Sequence, residues 1–126
     1  MSALLVDTSV WISYFSGSPE EGLDIALKEA RVYLSPVVAA ELLSGRLSSR
    51  QRKQLLDFFE ELPICGLTLE HWIDVAALRA QLFRKGLSVS APDAHIAQSA
   101  MELNAELMTT DKIFTRIAKV TPLRLI

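Results

Sequence analysis

Four acidic residues in this chain stand where an acid is either costly or well placed for chemistry: Asp7, Glu41, Asp93 and Asp111. Asp7 ends the apolar run "ALLV", and Asp111 follows "AELMTT". Asp93 heads a helical stripe, because the positions three, four, seven and eight residues on are Ile96, Ala97, Ala100 and Met101, all apolar and on its own face. His95, Gln98, Ser99 and Glu102 fall elsewhere on that helix. Glu41 is the one polar residue in the run Val37 to Leu43. A helix that is apolar all round is expected to be buried. The Glu41 charge is then paired, protonated or bound to metal.

Each acid also has an ordinary explanation. Asp7 and Asp111 suit helix caps. Asp93 suits a helix N-terminus. Glu41 suits an ion pair with Arg46 or a more distant Arg. The joint pattern asks for more. If the four converge, two unit charges about 4 Å apart repel by roughly 4 kcal/mol at an effective dielectric near 20. Protonation or a cation must relieve that. An all-oxygen donor set suits Mg2+ or Mn2+ with water completing the shell. Such a site favours phosphate chemistry. Thr8, Ser9, Thr109 and Thr110 flank the acids and suit either ordinary turn chemistry or contact with a metal-bound water or phosphate. His71 and His95 have no ligand spacing between them and read as surface or packing residues. There is no Gly-rich phosphate loop and no Ser-His-Asp or Cys-His pattern.

Short apolar runs alternate with longer helical patterns. "ALLV", "VYL", "ICGL", "AELMTT" and "PLRLI" read as strands. "SVWISYF", "EEGLDIALKEA", "PVVAAELLSG", "SSRQRKQLLDFFEEL", "LEHWIDVAALRAQLFRKG", "SAPDAHIAQSA" and "KIFTRIAKV" read as helices. Ser35-Pro36 is a start signal, Thr68 a cap, and Gly45 and Gly86 are stops. Strands separated by helices imply an α/β fold with a mainly parallel sheet, and a single domain over residues 1–126. In such sheets ligands sit beyond the strand carboxyl ends, where strand order reverses. Asp7 and Asp111 both fall there.

Half the residues are apolar, and the mean hydropathy is +0.26. In a chain of 126 residues this predicts an exposed apolar patch, hence a dimer or a bound partner, unless the core absorbs it. The net charge of −2 gives no global basic signature for nucleic acid, although a local patch suffices. Lone Cys65 excludes an intramolecular disulfide and a cysteine-based zinc site. No apolar run approaches the roughly 20 residues of a membrane span. "MSALLVD" lacks a basic leader, so a cytoplasmic location is the default expectation.

"LLVDTSVWI", "SPVVAAELLSG", "PDAHIAQSA" and "AELMTTDKIF" together, in order and across essentially the whole chain, resemble the PIN-domain ribonucleases. The likeness is greatest to the VapC-type toxins of toxin–antitoxin pairs. The resemblance implies a three-layer α/β/α fold. It implies Mg2+- or Mn2+-dependent endonucleolytic cleavage of RNA by an acidic quartet, here Asp7, Glu41, Asp93 and Asp111. Thr109 matches the hydroxyl residue that precedes the last acid by two. A homodimer and a small cognate antitoxin are the implied protein partners. Arg46, Arg50, Lys112 and Arg116 are candidates to hold RNA phosphates, or else belong to solvated helix faces. Two other readings compete: a receiver-type module that binds Mg2+ and accepts a phosphoryl group on an Asp, and an inactive binding partner that keeps its acids for structure.

Overall fold

A computed structural model describes all residues 1–126. Four strands, β1 (Leu4–Val6), β2 (Val32–Tyr33), β3 (Glu106–Met108) and β4 (Arg124–Leu125), form one sheet in the order β2-β1-β3-β4. Every pairing is parallel. Leu4, Leu5 and Val6 are consecutive and all buried, so β1 is covered on both faces. Strand order reverses between β1 and β3: the chain leaves β1 for β2 on one side and later returns to β3 on the other. The sheet and its flanking helices make the α/β/α fold that the sequence predicts.

Seven helices surround the sheet: α1 (Thr8–Phe15), α2 (Glu21–Lys28), α3 (Pro36–Leu43), α4 (Ser49–Glu60), α5 (Leu69–Arg84), α6 (Ala91–Glu102) and α7 (Ile113–Ala118). Their starts follow local chemistry. Ser35 Oγ accepts from the Val37 and Val38 amides, with Pro36 in the first turn of α3. Thr68 Oγ1 accepts from the His71 amide, and Ser90 Oγ from that of Asp93. Beyond the end of α5, Gly86 takes φ +85°, a left-handed value that suits glycine. The buried side chains form one continuous cluster, with Trp11, Leu5, Leu107, Phe114 and Ile117 fully enclosed.

Two expectations need correction. "ICGL" is not a strand: it makes one isolated parallel bridge, Leu34 to Ile64, after which Gly66 turns away at φ +73°. Nor is α3 buried all round. Val38 and Leu42 are enclosed, but Ala40 and Glu41 are exposed. Val38 and Leu42 belong to the core and Ala39 and Leu43 pack against it, while Glu41 stands at the edge of an open groove. It is lined by Ile12, Phe15, Leu42, Leu47, Leu55 and Phe58, with Glu41 and Arg46 on its wall. The expected apolar patch exists here, with Ile12, Phe15 and Leu47 exposed. No helix is long and apolar enough to cross a membrane.

Candidate functional site

The carboxyl ends of β1 and β3 lie side by side at the point where strand order reverses, and each hands its chain to an acid. The Asp7 amide donates to the Met108 carbonyl across that pair, at 2.9 Å. Extended backbone at Asp7 (φ −75°, ψ 158°) makes it the cap of α1, and its Oδ1 accepts from the Thr8 amide at 2.9 Å. Its other oxygen accepts from the Thr109 hydroxyl at 2.8 Å. That same hydroxyl accepts from the Asp111 amide at 3.0 Å. One side chain thus ties the first acid to the last. The cap reading holds for Asp7; the cap position of α7 is Lys112, and Asp111, one residue earlier, accepts from the Ile113 amide.

Asp93 is half-buried in the first turn of α6, and Glu41 is exposed on α3. Burial raises the Asp93 pKa, and the charges of Asp111, Asp7 and Glu41 each push it further up. A hydrogen bond with Ser90 opposes these effects. None of the four forms an ion pair: the salt bridges of the chain are Arg31–Glu29, Lys53–Asp57 and His71–Glu102. The Glu41–Arg46 pairing considered above does not form, and its exposure removes the need for one.

The donor set fits a hard divalent cation in chemistry. No group of three or more His, Cys, Asp or Glu side chains is arranged so that it could hold a metal ion by itself, and a hard ion such as Mg2+ usually keeps several waters at its protein sites. A second observation agrees. The buried hydroxyl of Thr8, next to Asp7, has no hydrogen-bond partner in the protein. Buried hydroxyls rarely stay unpaired, so water or a ligand oxygen is the natural complement. By contrast, Thr110 and Ser9 satisfy each other at 3.0 Å.

The structure gathers the predicted phosphate-binding cations only loosely. Arg46 stands on the groove wall with Glu41. Arg50 opens α4, while Lys112 and Arg116 follow Asp111 into α7; all four are exposed. Each is free of ion pairs, whereas Arg52 is held by the Leu43 carbonyl and Lys53 by Asp57.

Sequence reasoning missed the second polar cluster. Of the two readings given for His71 and His95, packing holds and surface does not: they are 4% and 0% exposed. Glu102 Oε2 meets His71 Nδ1 at 2.8 Å, His71 Nε2 meets His95 Nδ1 at 2.7 Å, and His95 Nε2 meets Ser35 Oγ at 2.6 Å. Trp72 stacks flat on the His95 ring at 4.5 Å and donates its indole N–H to the Gly66 carbonyl. A Cβ at Gly66 would stand 2.6 Å from His95 Cε1, so glycine there is a packing requirement as well as a conformational one. Burial lowers the His95 pKa to about 4; His71 lowers it too, and Glu102 opposes. The available signal was the small-residue content of α6, where Ala94, Ala97, Ser99 and Ala100 are all buried and allow neighbours to approach on every side.

A family model described as "PIN domain" matches residues 4–120. The chain is 34% identical over 112 residues to Ribonuclease VapC1 of Methanocaldococcus jannaschii, covering 88% of this chain and 77% of that protein. It is 30% identical over 121 residues to Ribonuclease VapC2 of Rickettsia felis, covering 90% of each. Its fold is similar to that of the DNA-bound VapBC of Salmonella typhimurium, with a TM-score of 0.78, 25% identity, and coverage of 100% of this chain and 98% of that one.

Proposed function

Because this chain belongs to the PIN-domain family, we propose that it is an endoribonuclease whose acids Asp7, Glu41, Asp93 and Asp111 hold Mg2+ or Mn2+, and that it is the toxin half of a toxin–antitoxin pair. The observation that carries this reading is that Asp7 and Asp111 stand beyond adjoining strand ends, tied together through Thr109, with no ion pair on any of the four acids. Such an ion, when bound, lowers the pKa of a water and stabilises charge on phosphoryl oxygens. The chain supplies the rest. Thr109 fixes the orientation of Asp7 and Asp111, and the unpaired Thr8 hydroxyl is available to a water or phosphate oxygen beside them. Arg46, Arg50, Lys112 and Arg116 hold flanking phosphates of the RNA. Family membership does not favour the receiver-type reading.

The groove between α1, α3 and α4 suits an apolar segment of a small antitoxin, since it exposes Ile12, Phe15 and Leu47 beside Glu41. The homodimer is assigned to α5. Leu69, Ile73, Ala76, Ala80 and Phe83 form an exposed stripe at spacings of four and three. Glu70 and Asp74 lie at one end of that helix and Arg84 and Lys85 at the other, so an antiparallel pair of α5 helices matches opposite charges. We place the protein in the cytoplasm, with its RNA.

The test uses the purified, antitoxin-free chain on total cellular RNA with Mg2+, Mn2+ or EDTA, and the mass of the same preparation by sedimentation. Cleavage that needs the ion, from a species of twice the chain mass, is the expected result. Intact RNA under every condition sinks the nuclease reading, and a monomer at micromolar concentration sinks the α5 pairing.

A further inference from the structure

The chain Glu102–His71–His95–Ser35 links three helices, and two of them carry acids of the cluster. His95 sits two residues beyond Asp93 on α6, and Ser35 caps α3, which carries Glu41 less than two turns further on. A carboxylate oxygen at the end of this row is an acceptor, which favours one polarity along it. His71 Nδ1–H donates to Glu102, and His95 Nδ1–H donates to His71 Nε2. Ser35 Oγ–H donates to His95 Nε2, which leaves the Ser35 oxygen to accept from the Val37 and Val38 amides. The hydroxyl that starts α3 is therefore aimed by α6. The reverse polarity would put a bare His71 nitrogen against a carboxylate.

Nothing in the acid cluster itself holds Glu41 in place. It is exposed, makes no hydrogen bond or ion pair, and lies on a helix whose outer side faces an open groove. Asp7 and Asp111, by contrast, are fixed by Thr109. Placement of Glu41 depends on where α3 begins, and that point is the Ser35–His95 bond. Packing around the chain is tight enough to transmit position: Trp72 covers one face of His95, and Gly66 presses on its edge.

We propose that Ser35, His95 and His71 are positioning residues that set the register of α3 against α6, and so hold Glu41 where it can share an ion with Asp93. This rests on the metal-binding reading above. It differs from a purely structural role in what it predicts for the ion. Outer-sphere partners of metal ligands typically alter affinity by about 10- to 100-fold.

The test is a Mn2+ titration of the metal-free protein, followed by the paramagnetic resonance signal of free Mn2+, with RNA cleavage measured in parallel. Ser35→Ala and His95→Phe are expected to weaken Mn2+ binding about tenfold or more. They should lower kcat at limiting Mn2+, recover with excess Mn2+, and leave KM for RNA unchanged. Ser35→Thr, which keeps the hydroxyl, restores affinity. Glu102→Ala, at the exposed end of the chain, covers the case in which the buried variants fail to fold, and is expected to weaken Mn2+ binding about two- to threefold. Folded variants with wild-type Mn2+ affinity overturn the proposal. If the wild type itself binds no Mn2+, the metal reading falls separately. Amide exchange from Val38 to Leu42 then decides: protection must drop in Ser35→Ala and return in Ser35→Thr, or the proposal is wrong.

Discussion

The acid cluster and the histidine chain are both polar groups set against the same sheet, and they are built on opposite terms. Around the carboxyl ends of β1 and β3, the charges of the other acids raise the Asp93 pKa, the Thr8 hydroxyl is unpaired, and none of the acids has an ion-pair partner. Between α3, α5 and α6, every donor meets an acceptor and an aromatic ring closes the top. The second arrangement favours the folded state. The first works against it, and a cation from outside the chain would relieve it. Unrelieved electrostatics marks the place of chemistry; complete satisfaction marks the frame that carries it.

The contrast can be broken in four ways. Asp7→Asn should reduce cleavage by about a thousandfold or more, since loss of a group acting on the metal removes several kcal/mol of transition-state stabilisation. Its circular dichroism should stay native, because Asn still caps α1. A large loss of structure would instead put Asp7 with the frame. His95→Leu reverses the pattern. It strands Ser35 and His71 in the interior and should lower unfolding free energy by about 2–4 kcal/mol in urea titration. An unchanged midpoint would show the histidine chain to be dispensable.

The two clusters should also respond to pH with opposite signs. His95 protonates at its usual 6.5 when unfolded but only at about 4 when folded. Its contribution to stability is complete above about 6.5 and is lost as pH falls toward 4. Thermal melts across that window should fall for the wild type and flatten for His95→Gln. Asp93 runs the other way, because its folded pKa is raised above the ordinary 3.8. Its carboxyl is easily borne while protonated and destabilising once ionised. In the metal-free protein, Asp93→Asn should therefore raise the melting temperature at neutral pH, by about 1–3 °C after solvent screening. The gain should shrink near pH 4, and a lower melting temperature at neutral pH would contradict the mutual repulsion of the acids.

Much of this was legible in the sequence. The acids at strand ends follow from apolar run, turn and charge, all of them local signals. The alternation of short strands with helices sufficed for the parallel sheet. Glu41 was misread because a short apolar run does not reveal which of its positions turns outward: Val38 and Leu42 are buried, while Glu41 stands at the edge of a groove. "ICGL" was misread because composition does not reveal that Gly66 must turn to clear His95. The histidine chain was invisible for a physical reason. Its members are separated by 24 to 60 residues, and each is an ordinary polar residue until the fold supplies its partner. Periodicity reports which face is apolar; it carries no information about which polar residues will meet.

The hydrogen bond from Thr109 to Asp7 joins positions 102 residues apart. While the polypeptide is being synthesised, Asp7 is made about a hundred residues before its counterpart emerges. A site tied together over that span is a late product of synthesis: it cannot form until β3 and the turn beyond it have left the ribosome.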